Sequence, residues 1–180
     1  MTWTAPQVNR IDYPSLGDER AMLDGALDYQ RQTLLLKCAG LTAGQLELRA
    51  VEPATLSLLG LVRHLAGVEQ WWFRRNFRGE QLDDPYSTEA SPDGEFDDLD
   101  DADAEADFAL YANEVDLARQ AVAGRSLDER FWRASHVLLP GRPPRELSLR
   151  WLYVHMIEEY ARHNGHADLL RQRIDGATGA

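Results

Sequence analysis

The twelve residues from His155 to His166 read HMIEEYARHNGH and carry five side chains able to bind a metal ion: His155, Glu158, Glu159, His163 and His166. The stretch lies in a strongly helical pattern, and a helix brings residues four apart onto one side, with about 6 Å between their Cβ atoms. Glu159 and His163 stand four apart, so both can reach one ion. A carboxylate on a largely apolar helix needs a reason, because burying it unpaired is costly, and a cation removes that cost. The same spacing has a plain alternative, in which Glu158 and Glu159 face solvent and pair with Arg162 and His163 as ordinary i,i+4 contacts. Periodicity does not choose between the two. His155 lies four residues before Glu159 and His166 three after His163; either can be a ligand, a group that orients a ligand, or a neighbour. His64 stands at the edge of an apolar helical stripe and is a further candidate. His136 falls in irregular sequence and carries little weight.

Four long helical segments must position these groups. The first covers about residues 16–39, with Ser15 as N-cap and Gly40 as stop. A short turn follows, in which Thr42 and Gln45 form a capping-box pattern. The second covers about residues 56–77, with Thr55 as cap, Gly79 as stop, and a stripe of Leu58, Leu61, Val62, Leu65, Val68 and Trp72. The third covers about residues 102–123, between Asp101 and Gly124, and the fourth about residues 149–174, capped by Ser148. No internal repeat is visible. An all-α four-helix bundle is the most economical fold. Residues 79–101 form a connection rich in Asp, Pro, Ser and Gly, longer than most loops. A helix of ~20 residues spans about 30 Å, and an extended loop of this length crosses that distance. The second and third helices can therefore run parallel, joined by a crossover. Residues 125–147 are mostly irregular. Residues 131–139 are read as a short extended arm turning at Pro140-Gly141.

At 180 residues the chain is read as one domain, residues 1–180. No apolar run approaches the ~20 residues a membrane span needs, and the first residues lack a signal-peptide layout. A cytoplasmic protein without a membrane partner is the expectation. The single cysteine, Cys38, excludes an intramolecular disulfide and a Cys-rich zinc module; its neighbours Leu34, Leu35, Leu36 and Ala39 mark it as a small buried residue. The net charge of −11 is unevenly spread: 13 acids and no Lys or Arg lie between Glu80 and Asp107, and the rest holds 17 acids against 19 bases. Such a run reads as a solvated loop with no role beyond linking. DGEFDDLDDAD lacks EF-hand spacing, and the absence of a basic stripe argues against nucleic acid. Trp71, Trp72, Trp132 and Trp151 are read as core first and pocket lining second.

Two stretches carry a family likeness. LLGLVRHLAGVEQWWFRR, residues 58–75, and LRWLYVHMIEEYARHNGHADLLR, residues 149–171, resemble the DinB-like superfamily of metal-binding four-helix bundles, specifically the branch of mycothiol-dependent maleylpyruvate isomerase and related thiol transferases. The layout with a long second crossover agrees, so the resemblance spans nearly the whole chain. It implies up-down-down-up topology, frequent homodimers and a three-ligand site. One ligand is a His in the second helix, matching His64. The others stand four apart on the fourth helix, matching Glu159 and His163 in the isomerase-like branch. His166 falls where a supporting group is expected. The isomerase carries an extra C-terminal domain, whereas this sequence ends soon after the fourth helix, which speaks against maleylpyruvate isomerisation itself.

Two neutral imidazoles and one carboxylate leave a divalent ion near +1 with an open position, the catalytic pattern for zinc; nickel, iron or cobalt fit the same donors. An open position takes a thiol, which loses its proton to become a nucleophile. The resemblance therefore implies a metal-dependent transferase that joins a low-molecular-weight thiol, such as mycothiol, to an electrophile. The alternatives are a non-catalytic metal-binding module related to stress, a hydrolase using metal-bound water, and a helical interaction protein with no metal.

Overall fold

The first long helix, α1 (Glu19–Cys38), begins three residues later than its sequence suggests. Asp18, not Ser15, is its N-cap, because the Asp18 carboxylate accepts a hydrogen bond from the Ala21 N–H at 2.9 Å. In the computed structural model, which describes residues 2–133 and 145–179, α1 is followed by the one-turn α2 (Ala43–Leu46). Its capping box forms as expected, the Gln45 side chain accepting from the Thr42 N–H at 3.0 Å. Next come α3 (Leu58–Glu69), capped by Ser57 rather than Thr55, the one-turn α4 (Gly94–Asp97), and α5 (Ala104–Val122), capped by Asp103 rather than Asp101. The chain closes with α6 (Leu149–Asp175), capped by Ser148. In each shifted case an Asp or Ser nearer the first helical turn takes the cap, since one side-chain oxygen satisfies one orphan N–H.

The expectation of an all-α chain needs one addition. β1 (Arg130–Arg133) and β2 (Arg145–Ser148) pair antiparallel, with Phe131 opposite Leu147 and Arg133 opposite Arg145. β1 takes in the start of the extended arm read at residues 131–139; the rest of that arm, with Pro140-Gly141 and His136, lies outside the described residues. The molecule is mostly helical with this small two-stranded sheet. Among the described residues no helix is long and apolar enough to cross a membrane.

A second departure lies within the second long segment. The helix runs to residue 77 as expected, but from Gln70 to Phe77 it is a π-helix. The Asn76 side chain donates to the Trp71 carbonyl at 2.7 Å, and the Arg78 N–H reaches back five residues to the Phe73 carbonyl at 3.2 Å. Wide turns of this kind are rare and concentrate near functional sites.

The apolar stripes meet in one core. α1 packs along α6 and α3 along α5, with α3 also touching α6. Leu34, Cys38, Leu58, Leu61, Val62, Leu65, Leu152, Met156 and Tyr160 are fully buried within it. Each such large side chain contributes about 1.5–3 kcal/mol through burial. One polar node ties all four long helices together inside this core. Arg31 of α1 forms a two-pronged pair with Glu69 of α3, both bonds 2.7 Å. Tyr160 of α6 donates to Glu69 at 2.7 Å, and Tyr111 of α5 meets the Tyr160 hydroxyl at 3.0 Å. Glu69 is fully buried, so its charge is tolerable only with Arg31 held against it.

Candidate metal centre

Glu69 stands five positions after His64 on α3, and the Tyr160 anchor directly follows Glu159 on α6. The polar node therefore fixes the sliding and rotation of α3 against α6 next to these side chains. His64, Glu159 and His163 converge: one donor atom from each lies within 4.8 Å of the others. His163 Nε2 stands 3.2 Å and His64 Nε2 3.5 Å from Glu159 Oε1, and the two imidazole rings are 4.8 Å apart. Donors bound tetrahedrally to zinc at 2.0–2.1 Å are separated by about 3.3 Å, so these spacings suit one ion.

The chemistry of the donors fits a cation as well. His64 Nε2 is buried and makes no hydrogen bond among the described residues; its contact with Glu159 is an ion-pair approach rather than a hydrogen bond. A buried nitrogen with nothing to bond is an energetic liability, which a bound ion removes. Burial works to lower the His64 pKa, but the carboxylates of Glu159 and Glu95 outweigh it and raise the value to about 9. The hydrogen bond from His163, and the His64 imidazole beside it, hold Glu159 well below the usual carboxylate range. A positive charge is thus already favoured between these side chains.

Glu95 is the functional candidate that sequence reasoning missed. It lies on α4, inside the acidic connection, which was expected to be solvated and without a role. Instead Glu95 Oε1 accepts from His64 Nδ1 at 3.2 Å and Glu95 Oε2 accepts from the Ser87 hydroxyl at 2.8 Å. Burial raises the Glu95 pKa, yet the bonds to His64 and Ser87 bring it below its ordinary value. A carboxylate behind an imidazole fixes the tautomer, so that Nδ1 carries hydrogen and Nε2 faces the ion. Phe96 stacks on the His64 ring at 5.2 Å. Arg63 draws the connection down by donating to the Asp98 carbonyl at 2.6 Å and lies over the Tyr86 ring at 4.3 Å. The available signal was a Gly-Glu-Phe turn inside an otherwise polar run, the one place there with an aromatic beside an acid.

The remaining histidines divide. His166 Nδ1 lies 3.4 Å from His163 Nδ1, where it can orient that ring while His163 Nε2 faces Glu159. His155 does not join the cluster. It stacks on Trp151 at 4.9 Å and meets Trp72 edge-on at 4.6 Å, and burial lowers its pKa. Glu158 is exposed. Trp72 is buried, Trp71 and Trp151 are half-buried, and Trp132 is exposed. Cys38 is fully buried and its thiol is pushed up to about 12 by burial. It is the sole cysteine, so the chain supplies no reactive sulfur of its own.

A family model described as mycothiol-S-transferase matches residues 22–176. No curated protein and no solved structure matches the chain.

Proposed function

We propose, from the premise that this chain belongs to the mycothiol-S-transferase family, that it is a metal-dependent enzyme transferring a low-molecular-weight thiol of the mycothiol type to an electrophile. His64, Glu159 and His163 hold a divalent cation in this reading. The observation that carries it is the convergence of those three donors from two separate helices, with the His64 Nε2 nitrogen left unbonded. A divalent ion bound there supplies Lewis acidity, which favours the thiolate form of a coordinating thiol. The residues of the chain do the positioning. Glu95 holds His64 with Nε2 turned inward, and His166 steadies His163. Phe96 and the α4 turn shield the His64 edge from water, which strengthens electrostatic contacts there. Zinc is the proposed metal, since two histidines, one carboxylate and an open place are its catalytic pattern.

The same reading extends to the molecule. We propose that α1, α3, α5 and α6 form a single-domain four-helix bundle of up-down-down-up topology, that two copies associate, and that the protein works in the cytoplasm.

The test is direct. Metal-loaded protein, mycothiol and a bimane or halonitrobenzene should give thiol conjugate well above the rate without protein, and chelation should abolish the gain. Absence of conjugation with metal bound removes the transferase reading. Elemental analysis should find about one divalent ion per chain, and His64→Ala, Glu159→Ala and His163→Ala should each lower that occupancy. Cobalt-substituted protein should develop a sulfur-to-metal absorption band on adding thiol; a metal-binding module without catalysis would not.

A further inference from the structure

Successive residues of a β-strand face opposite sides. Phe131 and Leu147 are register partners and both are buried, so the side they share is turned toward the helices. Arg133 and Arg145 are also register partners, two residues further along on that same side. Like charges placed directly opposite are destabilising. The other side of the ladder avoids the conflict, because Arg130 pairs there with Glu146 at 3.3 Å. Neither Arg133 nor Arg145 has a carboxylate partner among the described residues. Each guanidinium lies against an indole instead: Arg133 is 5.8 Å from the Trp72 ring centre and Arg145 is 5.5 Å from that of Trp151. A cation over an aromatic face keeps most of its N–H donors free, and it gains less than a two-pronged contact with an anion.

These two indoles are the ones that flank His155. His155 stands one turn before Glu159 on α6, about 6 Å along the axis, and Trp151 stands two turns before it, about 12 Å. The arginines therefore overlook the same α3–α6 seam as the candidate metal centre, at the distance of a substrate's tail rather than of its reacting atom. Flat rings between the two positions suit a conjugated or aromatic body.

We propose that Arg133 and Arg145 are a recognition pair for a carboxylate carried by the electrophilic substrate, whose body lies along the half-buried His155 and Trp151 with its reacting carbon toward His64 and Glu159. This assignment rests on the thiol-transfer reading above. It predicts that the preferred electrophiles are anionic.

The test compares two electrophiles on metal-loaded protein with mycothiol: 1-chloro-2,4-dinitrobenzene and its carboxylated relative 4-chloro-3,5-dinitrobenzoate. In both, sulfur bonds to the ring carbon, chloride leaves with the bonding electron pair, and the thiol proton passes to the buffer. The double variant Arg133→Gln, Arg145→Gln should lose about 10-fold more kcat/KM on the benzoate than on the neutral compound, chiefly through KM. Arg130→Gln, on the outer side, should leave the ratio unaltered. Equal losses on the two electrophiles overturn the proposal. A second readout needs no turnover: benzoate should change the tryptophan fluorescence of the metal-loaded protein saturably, with an apparent Kd about 10-fold weaker in the double variant. If neither electrophile is conjugated, the thiol-transfer reading fails, and this titration decides the arginine pair alone. A change identical in both proteins, or no saturable change, overturns it.

Discussion

His64 binds its proton more tightly in the folded chain than in the unfolded one, its pKa standing at about 9 against an ordinary 6.5. The stability it contributes is complete below the unfolded value and is lost as pH rises through about 9. Metal-free protein should accordingly melt at a lower temperature at pH 10 than at pH 7, as scanning calorimetry would show. In the proposed site a cation would replace that proton on Nε2. Metal uptake near pH 7 should therefore release about one proton from His64, and affinity should weaken about tenfold per unit as pH falls from 9. Calorimetric titration in buffers of different ionisation enthalpy measures the release, and a release near zero would contradict the assignment of His64 as a ligand. Glu95→Gln keeps the size but removes the charge behind His64; metal affinity should fall about 10-fold or more, read by competition with a chromophoric chelator. At this scale Glu159 and His163 were legible because i,i+4 spacing on one helix is local information. The link to His64 came only through family resemblance, since nothing local joins residue 64 to residue 159. Glu95 was hidden because its role depends on where a loop folds back, which composition does not encode.

Among elements, the connection between α3 and α5 owes its place against α3 to one small residue. A Cβ placed on Gly60 would meet the Phe96 ring at 2.8 Å, so the missing side chain is what lets α4 lie against α3. Gly60→Ala should push Phe96 and Glu95 outward and weaken metal binding, while α3 itself, with alanine the better helix former, stays helical by circular dichroism. Unchanged metal affinity would show that the close approach is dispensable. The long helices were readable because apolar periodicity and caps repeat over many residues. Their starts shifted by two or three residues wherever two capping side chains compete. The β1–β2 pair was missed as a sheet because four-residue strands carry too little alternation to register. The π-helical stretch from Gln70 to Phe77 was missed for another reason: QWWFRRNF has the composition of an α-helix, and the widening shows in Asn76 reaching the Trp71 carbonyl, a contact with no periodic signature.

Across the molecule, cohesion depends on the Arg31–Glu69–Tyr160–Tyr111 node as well as on apolar area. Glu69→Ala leaves the Arg31 charge buried without its partner and should cost about 3–5 kcal/mol in urea unfolding. Replacing both, as Arg31→Met with Glu69→Leu, should cost less than that single change, because no uncompensated charge remains. Cys38 has a different bearing on the whole. A catalyst that brings sulfur nucleophiles and electrophiles together risks alkylating itself, and oxidation would threaten any accessible thiol. Here the only sulfhydryl is sealed between α1 and its neighbours and stays protonated at working pH. Intact mass should remain unchanged after prolonged exposure of the native protein to excess halonitrobenzene, whereas unfolding should admit one adduct. The scaffold is in this sense shielded from the electrophiles that its proposed reaction would handle.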